Sequence, residues 1–367
     1  MKKKNKFIAS LVALSMVAAS LTGCGSSTAD NANTTDTANT SEGAKSEDSA
    51  AADASSGKGY VIGFTNSYNG NTYRQKMESY MNETIEELKA SGEVSEFIIA
   101  EANQNNSTQV QQIQNFITQG VDAIIIDPGS ATALNGAIEE ASEAGIPCII
   151  INDGPVDSTA DLCYQINFDT ISQMSALTEY VVKAMGGKGN LIELRGTAGS
   201  QFDEIAHQGV AQVLENYPDV NVVAEIYTDW TGSKAQSELA SVLPTLDKVD
   251  GVVTQGGDSY AAVQAFESAG LDLPIIGGDN RGYFLKWWAN NAPKGYDTIS
   301  VSSNPWIGAS GIYVAIDILD GKDVPKDMTH PFGIVTAEQV GDYADVADED
   351  ISCPTYDREW VRENLYQ

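Results

Sequence analysis

The chain has 367 residues, with 51 Asp or Glu against 21 Lys or Arg, and a formal charge of −30. So acidic a chain lacks the basic surface that nucleic acid, or flat adsorption to an anionic bilayer, requires, and both are excluded as partners. Its two histidines, His207 and His330, and its scattered cysteines offer no zinc-finger or metalloprotease spacing.

At the start, Lys2, Lys3, Lys4 and Lys6 precede an apolar run from Phe7 to Leu21. A basic opening, a short apolar core and small residues at its end predict a secretory signal over residues 1–23. The run is too short to remain as a spanning helix. Leu21-Thr22-Gly23-Cys24 resembles the bacterial lipobox, which implies cleavage before Cys24 and lipid on its sulfur. From Gly25 to Lys58 the chain is Ser, Thr, Ala, Asn, Asp, Glu and Gly with two lysines, and no aromatic or large aliphatic residue. Such a segment cannot bury enough apolar surface to offset its ordering entropy, so residues 24–58 are expected to form a disordered, lipid-anchored stalk. About 310 residues follow, enough for two domains with sizeable cores.

From Tyr60 onward, Val- and Ile-rich runs alternate with longer amphipathic segments. In chain order the pattern predicts strand Tyr60–Thr65, helix Tyr73–Ser91, strand Glu96–Glu101, helix Ser107–Gln119, strand Ala123–Asp127 and helix Thr132–Ala144. Strands Pro147–Asn152 and Cys163–Asn167 come next, then helix Ile171–Met185, strand Asn190–Arg195, helix Phe202–Glu215 and strand Asn221–Thr228. Helix Gly232–Leu246, strand Gly251–Gln255, helix Ser259–Ser268, strand Pro274–Gly278, helix Gly282–Asn290, strand Thr298–Ser302 and helix Pro305–Leu319 complete the series. Runs apolar on both faces suit strands covered by helices on both sides, hence parallel sheet. Gly120, Gly145, Gly270 and Gly321 stand where left-handed helix caps are expected. Repeated βαβ units predict an α/β protein of two doubly wound parallel-sheet domains, about five strands each, with ligand at the carboxyl ends of the strands. A last helix over Asp357–Leu365 is expected to pack on the second domain.

No Gly-x-Ser-x-Gly elbow, phosphate loop or His-Glu-x-x-His occurs, so an enzyme is not expected, nor a cofactor or a metal. Cys148 lies in an apolar run and reads as a buried thiol. Cys163 and Cys353, outside the reducing cytoplasm, are the candidate pair for a disulfide.

Val121-Asp122-Ala123-Ile124-Ile125-Ile126-Asp127-Pro128, then Ala144-Gly145-Ile146-Pro147, Gly251-Val252-Val253-Thr254 leading to Asp258, and Ile275-Ile276-Gly277-Gly278-Asp279 resemble, in order and spacing, the type I periplasmic-binding proteins of the ribose/galactose class. The likeness runs from Tyr60 to about Val335. It implies two lobes joined by a three-strand hinge, with crossovers near Asn167–Thr170, Ser302–Asn304 and Gly333–Thr336. The first lobe is then 59–167 plus 304–334 and the second 168–303 plus 335–367. Ligand is held between the lobes and selects the closed form, which an ABC transporter permease reads. The implied protein is an extracytoplasmic, monomeric lipoprotein that captures a sugar or polyol and touches membrane only through its anchor. The same fold also presents ligands to chemotaxis or signalling receptors. A Cys163–Cys353 bridge would staple the terminal segment near the first crossover.

Sugars call for carboxylates, amides and Arg around their hydroxyls and aromatic rings on their C–H faces. Carried onto this sequence, the family pattern gives Asn71, Tyr73, Arg74, Asn152, Asp153, Glu204, Trp230, Asp258, Asp279, Ser302 and Asn304 as ligand contacts. Asp153 and Glu204 stand where the ribose type commonly has arginine, and Gly257 and Gly278 where it has an amide and a phenylalanine. These departures predict a roomier, more acidic pocket, for a different sugar, a polyol or an amine-bearing solute.

Overall fold

The computed structural model describes residues 59–152 and 154–367. The signal segment, Cys24, the 24–58 stalk and Asp153 lie outside the described residues. Strands and helices alternate through β1 (Tyr60–Asn66), α1 (Thr72–Ser91), β2 (Val94–Glu101), α2 (Asn106–Gln119), β3 (Ala123–Asp127), α3 (Asn135–Glu143), β4 (Cys148–Asn152) and β5 (Cys163–Phe168). Then come α4 (Thr170–Ala184), β6 (Gly189–Arg195), α5 (Gln201–Leu214), β7 (Val220–Tyr227), α6 (Gly232–Val242), β8 (Gly251–Thr254), α7 (Ser259–Ala269), β9 (Ile275–Ile276) and α8 (Gly282–Asn291). The chain ends with β10 (Ser300–Ser302), α9 (Ile307–Leu319), β11 (Asp327–His330), β12 (Gly333–Val335) and α10 (Arg358–Leu365).

Two large sheets result, each parallel throughout, beside a two-stranded one. The first has the order β11-β5-β4-β3-β1-β2 and the second β7-β6-β8-β9. Every residue of β3 and β4 is buried, as strands covered on both faces must be. Their side chains alternate between two cores. Ile125 and Ile149 pack with Met77, Met81 and Ile312 of α1 and α9. Ile124, Ile126 and Ile150 pack with Ile113, Phe116 and Ile138 of α2 and α3. α2 shows how local sequence sets an element's ends. The Asn105 side chain accepts the Thr108 N–H at one end, and Gly120, at φ 69°, closes the other in the left-handed region that only glycine enters freely.

The sheets hold six and four strands rather than five each, because β11 joins the first at its edge beside β5. Asp-Met-Thr-His has no apolar run, and only Met328 and His330 face inward. β10 and β12 pair antiparallel between the sheets. Among the described residues no helix is long and apolar enough to cross a membrane.

Two expectations are corrected. The terminal helix α10 packs on the first sheet's core, not on the second, with Val361 and Leu365 joining Ile62, Met77 and Ile316. Arg358 and Arg362 both pair with the buried Asp317 of α9, at 2.6 and 2.7 Å. The chain reaches that position by a further crossing. Ser352 N–H donates to Asn280 O at 2.9 Å, and Asn304 Nδ2 donates to Pro354 O at 2.8 Å. Cys163 and Cys353 are both free thiols, as is Cys148. Cys163 opens β5 and sits in the α2–α3 core beside Cys148, its register partner, whereas Cys353 lies at the inter-sheet crossing, against Asn280 and Ser303.

Candidate ligand-binding cleft

A cleft of about 330 Å³ lies between the carboxyl ends of the two sheets. From the first sheet it is lined by Asn71, Tyr73, Arg74 and Asn152, from the second by Trp230, Gln255, Asp279 and Arg281, and from the crossings by Ser302, Ser303 and Ile351. Asn71 has two jobs, for its side chain also caps α1 by accepting the Arg74 N–H at 2.9 Å. That cap orients the first turn of α1, which presents Tyr73 and Arg74. Tyr73 OH donates to Asn152 Oδ1 at 2.9 Å, and Asn152 Nδ2 donates to Asp127 Oδ2 at 3.2 Å. Arg74 is ion-paired with Asp127 and donates from Nη1 to Asn66 Oδ1 at 3.3 Å. Asp127 thus holds both the amide and the guanidinium of this wall.

Opposite, Asp279 is 3% exposed and accepts the Gly257 N–H at 2.6 Å. Arg281 Nε stands 4.0 Å from the same carboxylate. Gln255 accepts the Gly196 N–H at 3.0 Å, fixing the loop over which Trp230 lies. A Cβ on Gly196 would come within 2.1 Å of the indole, so only glycine permits this ring position. Phe202 meets Trp230 edge to face at 5.9 Å. Several non-glycine residues with positive φ occur at these strand ends: Asn152 at 76°, Gln104 at 61° and Trp230 at 51°, all lining the cleft. Backbone strain of this kind gathers where surrounding structure over-determines it, as at ligand clamps.

Of the residues expected at the ligand, the cleft therefore brings together Asn71, Tyr73, Arg74, Asn152, Trp230, Asp279 and Ser302. Three others lie elsewhere. Asp258 is buried behind the wall, where it accepts from Thr228 Oγ1 at 2.6 Å and from Thr254 Oγ1. Burial, reinforced by the nearby Asp279 charge, pushes its carboxyl up to about 7. Asn304 is wholly buried and bonds Pro354 O and the Trp306 N–H. Glu204 is drawn outward to Arg195 at 3.1 Å, with its side chain 55% exposed.

The expected acidity rests on Asp153, which lies outside the described residues, and on Glu204, which the geometry turns away from the cleft. Among the described residues the charged groups lining the cleft are Arg74, Arg281 and Asp279, two cations to one carboxylate. Nor does Gly278 open space at the ligand. A Cβ there meets Phe284 at 2.3 Å and Ser300 Oγ at 2.6 Å, so the glycine serves the bridge to Ser300. At Gly257, with φ 87°, a Cβ would strike Trp230 O at 2.3 Å. Sequence reasoning missed Gln255, Arg281, Ser303 and Ile351. Gln255 and Arg281 follow strand ends and were within reach of that rule. Ile351 carried no signal, since it arrives by the tail's return.

A model of the periplasmic binding protein domain matches residues 62–323. Over 271 residues, the chain is 31% identical to the xylitol-binding protein of Mycolicibacterium smegmatis, covering 72% of this chain and 76% of that one. The crystal structure of an ABC transporter solute binding protein from Thermobispora bispora superposes with a TM-score of 0.77 at 29% identity, over 83% of this chain and 94% of that one. Another from Bacillus halodurans, with bound myo-inositol, gives 0.68 at 25% identity, over 79% and 99%. By their names these relatives are solute-binding proteins. In sequence and in overall fold alike, the chain belongs to the type I periplasmic-binding protein family of sugar ABC transporters.

Proposed function

We propose that this protein captures a neutral polyol or small sugar between its two sheets and delivers it to an ABC transporter permease. The observation that carries the reading is the chemistry of the cleft. Amides, hydroxyls and two guanidinium–carboxylate groupings surround one indole ring, so hydroxyls find both donors and acceptors while a C–H face finds an aromatic. Among the described residues the cleft sets Arg74 and Arg281 against Asp279, which supports a neutral solute over an amine-bearing one. Two lobes, each built on one sheet, close on the ligand by bending at the crossings, and the closed form is the one a permease reads. The lipobox-like Leu21–Cys24 supports a tether outside the cytoplasm, with the protein acting as a monomer.

A thermal-shift series with the purified chain tests the ligand class. Xylitol, myo-inositol, pentoses, hexoses, amino sugars and simple amines are compared, since a ligand that binds only the native state raises Tm once its concentration passes Kd. A rise with one polyol or sugar class is expected. A rise confined to amines would overturn the neutral-ligand reading, and silence across the series would overturn both.

A further inference from the structure

Behind the cleft, on the face of the second sheet covered by α5, a histidine and two glutamates converge. Glu193 of β6 and Glu225 of β7 are register partners, and His207 of α5 lies over them. Both carboxylate oxygens of Glu193 stand 3.0 Å from His207 Nδ1. One ligand atom from each of the three residues lies within 4.8 Å of the others. We propose that Glu193, His207 and Glu225 form a site for a divalent transition-metal ion of the zinc class.

Three features support the assignment. The Glu193 side chain is only 1% exposed, and a carboxylate so far from water calls for a hydrogen-bonded or charged partner. Its partner is an imidazole whose Nδ1 faces both oxygens at once. A metal about 2.0–2.2 Å from each ligand atom would sit between them after a small spreading of the pair. Charge balance points the same way. Glu193, Asp203, Glu204 and Glu225 cluster about one guanidinium, Arg195, and one imidazole. Even with His207 protonated, the carboxylates outnumber the positive groups. Arg195 Nη1 donates to Glu225 Oε2 at 3.1 Å, which leaves Oε1 for a metal and orients the carboxylate as outer-shell donors do at metal centres. Access is open as well, since His207 is 31% and Glu225 45% exposed in their side chains.

An imidazole with carboxylates favours zinc-like ions over calcium, which takes oxygen ligands in larger number. The site is independent of the cleft's occupant. It would fasten β6, β7 and α5 directly behind the loop that carries Thr197–Ser200 to the cleft wall.

The full chain, stripped with chelator, is melted with and without one equivalent of Zn²⁺ and titrated with Co²⁺ under a visible spectrometer. A rise in Tm of several degrees and a saturable Co²⁺ d–d band are expected, with Ca²⁺ inert. His207→Gln should abolish both responses. Glu225→Gln, at a half-exposed position that leaves the Glu193–His207 pair intact, should weaken metal binding at least tenfold. The proposal is overturned by no saturable binding, by an equal response to Ca²⁺, by unchanged binding in Glu225→Gln, or by a sulfur charge-transfer band placing the metal on a cysteine.

Discussion

Asp258 and Asp279 follow successive strand ends of one sheet, yet their surroundings give them different tasks. Asp279 faces the cleft with a backbone N–H and a guanidinium at its oxygens, while Asp258 faces two threonine hydroxyls in the interior. For Asp279→Asn, which keeps an acceptor for Gly257, ligand affinity is expected to fall about 10- to 100-fold with the apo Tm nearly unchanged, the scale of a lost charged hydrogen bond. Titration calorimetry reads the first and a melt the second. Asp258 instead governs a pH dependence. Its folded value of about 7 lies above the ordinary carboxylate range, so between about pH 4 and 7 the unfolded chain has lost this proton while the native chain keeps it. Its contribution to stability therefore declines as pH rises through that window, by up to about 1.4 kcal/mol per unit, and levels off above. Asp258→Asn carries no such proton, so its Tm relative to the native protein should climb between pH 5 and pH 8. A constant difference would refute the buried-acid assignment. Both aspartates were visible as polar residues after apolar runs. Which of them faces ligand was not, because a half-turn of backbone decides it and Gly256–Gly257 set that turn.

At the scale of elements, long apolar runs fixed their own identity. β3 begins and ends where its pattern says, and α2 is bounded by Asn105 and Gly120. The short polar strand did not announce itself: β11 needs only two inward side chains and leaves little signal in sequence, whereas α10 was legible as a helix over Asp357–Leu365 although its docking was not. The expected docking of α10 on the second domain failed for a related reason. Its partners, above all Asp317 and the α1–α9 core, lie far back along the chain. Deleting residues 358–367 uncovers that apolar surface and leaves Asp317 buried without its two guanidinium partners. A loss of roughly 3–5 kcal/mol is expected from breaking a buried pair, read as a lower denaturant midpoint at an unchanged fold by circular dichroism. Ile351→Ala, on the same returning segment, should weaken ligand affinity, since the side chain lines the cleft, and also lower Tm, since it is buried. Equal affinity would mean the tail only braces the fold.

For the whole molecule, the proposed cycle of capture and closure makes two predictions. Small-angle scattering should show the radius of gyration shrinking when a saturating ligand is added. No change would tell against lobe closure. Cys24→Ser should abolish labelling by radioactive palmitate, whereas labelling that persists in the variant would refute lipid attachment at Cys24. The sequence by itself determined the parallel α/β class, the order of the strands' appearance and most of the polar residues at their carboxyl ends. Apolar period and capping residues are local and give the class and the order, while the polar residues at the strand ends came from the family resemblance. Tertiary structure alone decided which strand ends face each other across the cleft, how Arg281 and Ile351 entered it, and that Glu204 turned away to Arg195. It also decided that Cys163 and Cys353 never meet and that Glu193, His207 and Glu225 do. Each of these is a juxtaposition of residues distant in sequence, set by sheet register and by the path of the returning tail, and no stretch of neighbouring residues encodes it.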